Sequence, residues 1–160
     1  MALLSPQVDV KTLRKVAAVR GLVNNEARRA ARPGTELELI APTPRYQTRA
    51  AAWPKLLGVD CFSVDPEAYK HLALERHRDS ATVQCDVQRS LWHYTKSWDE
   101  ARRSSKRASL QRVLNGVVGR HVGEVYYYQG LHDVASVLLL VCGEDATYAM
   151  LERLTLNVRR

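Results

Sequence analysis

Leu131-His132-Asp133-Val134-Ala135-Ser136-Val137-Leu138-Leu139-Leu140-Val141-Cys142 is the stretch that decides the fold. It is apolar nearly all round, which predicts a helix buried in a core rather than one lying on a surface. Gly143 marks its end, and Glu144 to Val158, with Tyr148, Met150, Leu151 and Leu154, reads as a last helix. In front of it stand Tyr126-Tyr127-Tyr128-Gln129-Gly130. The tyrosines are expected to wedge this segment against the core, and Gly130 to let another backbone approach closely. Further upstream, Ser97-Trp98-Asp99-Glu100 has the form of a capping box with Ser97 as the cap. The helix it opens runs to about Val118 and buries Leu110, Val113, Leu114, Val117 and Val118. The first half of that helix, Ala101 to Arg107, is basic and polar and is expected to face water.

Asp65-Pro66-Glu67 predicts another helix start, with Asp65 as N-cap and Pro66 at the first helical position. That helix carries Tyr69, Leu72 and Leu74 and ends in Glu75-Arg76-His77-Arg78-Asp79. Ser80 to Tyr94 follows and holds Val83-Gln84-Cys85-Asp86-Val87-Gln88-Arg89, an apolar, acidic, basic pattern spaced three by three. Nearer the N-terminus, Val10, Leu13, Val16, Ala17 and Val23 form one apolar stripe over residues 8–32. Pro33-Gly34, Pro42 and Pro44 then predict a surface loop from Arg32 to Thr48, with helix resuming at Arg49 and stopping near Gly58. Every clear element is helical, so the class is all-α, and 160 residues correspond to one domain, 1–160.

The composition excludes several functions. Apolar residues make up 46%, yet no run approaches the roughly 20 residues that span a bilayer. The N-terminus lacks the features of a secretory signal. Cys61, Cys85 and Cys142 are scattered and odd in number, which favours a reducing, cytoplasmic setting. His71, His77, His93, His121 and His132 show no metal-ligand spacing. Asp86, Ser90 and His93 share a helical stripe, but without a nucleophile turn or oxyanion hole they do not make a hydrolase. No glycine-rich phosphate loop is present, so the chain is not expected to bind nucleotide by itself. The net charge of +7 and the cluster Arg102, Arg103, Lys106 and Arg107 also suit a nucleic-acid binder, but no recognition element accompanies them.

Two polar residues remain with chemistry to offer. Asp86 and Arg89, three apart on a helix, form at the least an exposed ion pair worth a few tenths of a kcal/mol. In the functional reading Asp86 steadies Arg89 while the guanidinium, a planar fork that stays charged, reaches outward for phosphate. Gln129 is either a solvated first-turn residue or a carboxamide able to orient a water through its donor and acceptor.

Together with Arg49-Ala50-Ala51-Ala52-Trp53, these stretches resemble the TBC-domain Rab GTPase-activating proteins. That family carries R-x-x-x-W, I-x-x-D-x-x-R and Y-x-Q-G in this order; here they stand at Arg49 to Trp53, Val83 to Arg89 (Val for Ile) and Tyr127 to Gly130. The flanks Trp53-Pro54-Lys55-Leu56-Leu57, Ser90-Leu91 and Leu131-His132-Asp133 resemble the subfamily that acts on early-secretory Rab proteins and is associated with the endoplasmic reticulum. The resemblance runs from about Val10 onward, with an insertion-like segment at about 30–48. It implies that the chain holds the N-terminal part of the family's helical fold, with further helices expected after Arg160. It also implies that Arg89 is an arginine finger and Gln129 a glutamine finger, with Asp86, Tyr127, Gly130 and Asp133 in support and Arg49 and Trp53 structural. GTP and magnesium would be carried by a GTP-bound Rab partner and not by this chain. The setting implied is the cytoplasmic side of trafficking membranes, peripherally attached. A non-catalytic Rab-binding or scaffolding module of the same fold is the alternative.

Overall fold

A computed structural model of the chain describes residues 44–157, and these divide between two units, Met1–Asp60 and Cys61–Arg160. The helix read from residues 8–32 and most of the expected loop lie outside the described residues. In the first unit, α1 spans Pro44–Leu57. It therefore starts five residues before Arg49, because Pro44, read as a loop residue, opens the helix with its preset φ. Arg49 and Trp53 fall one turn apart on α1, both half-buried.

The second unit is a helical assembly around one long helix. A 3-10 turn at Cys61–Ser63 leads to α2 (Pro66–Leu72), α3 (Ser80–Gln88), α4 (Glu100–Arg120), α5 (Leu131–Cys142) and α6 (Glu144–Asn157). Helices α2, α3, α5 and α6 all pack on α4, α5 also meets α3, and α5 and α6 pack on each other. At about 1.5 Å per residue α4 is roughly 30 Å long, enough to serve as the axis for the other four. Its Leu110, Val113, Leu114 and Val117 are fully buried, joined by Val83, Leu131, Ala135, Leu139, Met150 and Leu151 from the surrounding helices. No strand occurs among the described residues.

Local signals explain most boundaries. Asp65 caps α2 as expected, its carboxylate accepting from the Glu67 and Ala68 amides at 3.0 and 3.2 Å. This helix stops at Leu72, however, and Leu74 is 78% exposed rather than part of an apolar face. The cap of α4 is Asp99, not Ser97: its carboxylate accepts from the Arg102 amide at 2.7 Å. Arg112 clasps Glu144 through two hydrogen bonds of 2.7 and 2.8 Å, and Tyr69 donates to Asp145 at 2.7 Å, tying α2 and α4 to the first turn of α6. Although burial works against the charge, Arg112 holds the Glu144 carboxyl below its ordinary value.

Tyr69 and Tyr148 stack 4.3 Å apart beside Gly116 of α4. A Cβ at Gly116 would sit 3.2 Å from the Tyr69 carbonyl oxygen and 3.3 Å from the Tyr148 ring. Alanine would gain about 1 kcal/mol of helix propensity, but overpacking against a backbone oxygen costs about 1–3 kcal/mol. Gly116→Ala is therefore expected to lower stability by about 1 kcal/mol, read as a lower urea midpoint at unchanged slope. A raised midpoint would show that the two tyrosines yield freely.

Candidate functional site

The site is built where α3 ends against the segment leading into α5. Asp79, at the head of α3, does not cap its own helix; its Oδ2 accepts from the Tyr127 backbone amide at 3.1 Å. Asp86, two turns further on, is 4% exposed and accepts the Tyr127 hydroxyl proton at Oδ2 over 2.6 Å. Tyr127 is thus held at its amide and at its hydroxyl by two carboxylates from one helix. The hydrogen bond from Tyr127, then that from Arg89, keeps the Asp86 carboxyl below its ordinary value despite its burial. Burial, then Asp86, pushes the Tyr127 hydroxyl up, so it remains a donor.

His132 completes this network. Its Nδ1 lies 2.9 Å from the Tyr127 hydroxyl oxygen and 3.3 Å from Asp86 Oδ2. Tyr127 has one proton and gives it to Asp86, so the hydrogen between Tyr127 and His132 belongs to Nδ1. Sequence spacing missed His132, placing it among scattered histidines; the signal available was its position three residues after Gln129, in the first turn of the apolar run.

Arg89 is the first residue past α3 and donates from Nη2 to Asp86 Oδ1, while its side chain stays 61% exposed. The ion pair is therefore lopsided: the acid is buried and fixed, the base is tethered at one nitrogen and presented to solvent. Ser90 seals the helix end by donating to the Asp86 carbonyl oxygen at 2.6 Å. Leu91 follows in the left-handed region at φ 71°, unlike every other non-glycine among the described residues. That conformation costs a leucine about 1–2 kcal/mol and turns the chain sharply beside Arg89.

Gln129 is exposed and immediately precedes the left-handed Gly130 (φ 96°), which caps α5. Residues 46–160 match the Rab-GTPase-TBC domain. The chain belongs to this family. It is 30% identical over 155 residues to TBC1 domain family member 20 of Homo sapiens, covering 96% of this chain and 33% of that protein. It is likewise 30% identical over 106 residues to the GTPase-activating protein gyp10 of Schizosaccharomyces pombe, covering 66% of this chain and 28% of that one. The chain thus spans about a third of the length of these curated relatives.

Two of the three stretches singled out in the sequence meet in this site, and the third belongs to the other unit. Asp86, Arg89 and Tyr127 form one hydrogen-bonded group, and Gln129 and Gly130 extend from it. Asp133 is exposed, its Oδ1 3.5 Å from His132 Nε2, at the rim of that group. Arg49 and Trp53 are on α1, in the other unit. Two expectations require correction. Only Tyr127 of the three tyrosines is wedged into the core; Tyr126 and Tyr128 are exposed. The chain itself brings no backbone close to Gly130, since nothing lies within 4 Å of the place its Cβ would occupy. The glycine is needed for its positive φ instead. Gly130→Ala is expected to cost about 1–2 kcal/mol of stability, visible as a lower melting temperature. An unchanged melting temperature would show that the turn re-forms with a negative φ.

The stripe of Asp86, Ser90 and His93 dissolves, because α3 ends before Ser90 and His93 is an exposed residue of the following loop. The stretch Ala101 to Arg107 does not face water throughout either: Arg103 is 3% exposed. No described helix is long and apolar enough to cross a membrane.

Proposed function

We propose that this chain accelerates GTP hydrolysis by a Rab GTPase, supplying Arg89 and Gln129 in trans. The carrying observation is the lopsided pair: Arg89, the arginine of the stretch that resembles the family's second motif, is anchored by a buried Asp86 yet exposed along most of its side chain. Phosphoryl transfer leaves little covalent work for protein groups, so catalysis consists of placing charge and water correctly. The Arg89 guanidinium offers its remaining donors to the oxygens that gain charge in the transition state. Gln129, two residues from Tyr127, orients the attacking water through its carboxamide. GTP and magnesium belong to the Rab, which binds in its GTP state, and the work takes place at the cytoplasmic face of trafficking membranes. Asp86 and Tyr127 hold the two fingers in register, since their hydrogen bond joins the helix that ends at the first to the segment of the second.

The names of the relatives support this reading, one being a GTPase-activating protein and the other a TBC1 domain family member. The test is single-turnover GTP hydrolysis by a panel of Rab proteins with and without the chain. Acceleration of at least one Rab is the expected result. Binding of a GTP-loaded Rab with no acceleration would replace catalysis by a scaffolding role.

A further inference from the structure

The residues immediately after Arg89 have a construction that finger chemistry does not use. Beyond the sharp turn at Leu91, Trp92, His93 and Tyr94 are all exposed, and Trp92 is 52% exposed. A tryptophan in solvent is ordinarily loose, but this indole is stacked. The Arg103 guanidinium carbon lies 3.8 Å from the ring centroid, and that of Arg107 lies 5.3 Å from it. Arg103 is itself fixed from all sides. Its Nε donates to Thr95 Oγ1 at 3.1 Å, its Nη2 to the Thr95 and Trp98 carbonyls at 2.8 and 2.9 Å, and its Nη1 to Glu100 at 2.7 Å. Arg107 donates to Glu100 at 2.8 Å and to the Ser90 carbonyl at 3.3 Å. Thr95 closes the loop by donating to the Leu91 carbonyl at 2.7 Å.

One side of the indole thus rests on an immobilised cation while much of the ring stays in water. A stack of this kind is attractive and fixes the rotamer before any partner arrives. Contact with a ring already held in place avoids most of the entropy lost when a mobile side chain is ordered on binding. Rigid, partly exposed tryptophans are also the residues on which binding energy concentrates at protein interfaces.

Distance decides what would cover it. Trp92 stands three positions after Arg89, so their Cα atoms are at most about 11 Å apart. A standard interface buries about 800 Å² on each partner, a disc of about 16 Å radius. A GTPase that brings its nucleotide to Arg89 therefore extends over Trp92. We infer that Trp92 is a docking anchor for the GTP-loaded Rab, its exposed ring surface packing on an apolar surface bordering the nucleotide, with Arg103 as the residue that positions it. The inference rests on Arg89 facing the nucleotide.

The experiment titrates the chain with the members of a Rab panel loaded with a non-hydrolysable GTP analogue. Trp92→Ala is expected to weaken Kd at least tenfold and Trp92→Phe, which keeps a stacked ring, only a few-fold. Circular dichroism melting checks that both variants fold. In the wild-type chain, amides 90–98 are expected to gain protection from hydrogen exchange when the Rab binds, a readout that needs no variant. A wild-type Kd for a folded Trp92→Ala, or unchanged exchange over 90–98 in the complex, overturns the anchor. Failure of the finger reading appears elsewhere, as equal acceleration by wild type and Arg89→Ala. Failure of the wild-type chain to bind any Rab overturns both.

Discussion

Arg89→Ala is expected to reduce the stimulated rate of GTP hydrolysis by about 10³ to 10⁵. That range corresponds to about 4–7 kcal/mol of transition-state stabilisation, far more than an exposed side chain contributes to folding. The two quantities separate because of the lopsided ion pair. Removing Arg89 leaves Asp86 buried, but the Tyr127 hydroxyl and His132 Nδ1 remain at its Oδ2. Stability should therefore fall by no more than about 1–2 kcal/mol, and the helical melting curve should keep its shape. Arg89→Lys is expected to recover little. Asp86 occupies one nitrogen of the fork and phosphate needs others, whereas an ammonium offers one centre for both. The readout is single-turnover hydrolysis at saturating chain, with melting measured in parallel. A rate loss below tenfold in Arg89→Ala would mean that another group carries the charge stabilisation.

How far the sequence foretold this site depends on the residue. The run Leu131 to Cys142 announced a buried helix because its apolar character leaves no wet face, and α5 spans those residues. Asp65 was legible because a cap acts on amides two and three positions away. Asp99 was not, since Ser97 and Asp99 both carry suitable acceptors two residues apart and only tertiary packing chooses between them. Arg103 was misread for a deeper reason. Charge in a helical stretch predicts water contact unless partners are supplied, and its partners are carbonyls of a loop and an indole, which no periodicity encodes. Gly130 was legible as necessary but not for its cause, because close approach and a positive φ select the same residue. The link between the two proposed fingers crosses 41 positions from Asp86 to Tyr127, and in sequence only a likeness to the motifs of a known family joined them.

Asp86→Asn tests that link and carries a pH signature. The substitution keeps the shape of the side chain and removes the charge that Arg89 and His132 face and the best acceptor for the Tyr127 hydroxyl. Breaking a fully buried pair costs about 3–5 kcal/mol; with Arg89 largely in solvent, a loss of about 2 kcal/mol at neutral pH is expected. The stimulated rate should fall as well, because Arg89 loses its anchor and Tyr127 its grip on the segment bearing Gln129. The sign of the pH dependence follows from the lowered carboxyl. An aspartate in the unfolded chain titrates near 3.9, and in the folded chain Asp86 titrates below that. Its contribution to stability is therefore fully present above about pH 5 and is lost as the pH falls through its folded value. The difference between wild type and Asp86→Asn should be flat from pH 7 to 5, narrow below about 4, and approach zero once Asp86 is protonated in both states. Urea midpoints at pH 7, 5, 4 and 3 measure it directly. Equal midpoints at pH 7 would mean that the buried carboxylate gains nothing net from its three partners, and the role of Asp86 as the post that steadies Arg89 would be lost with them.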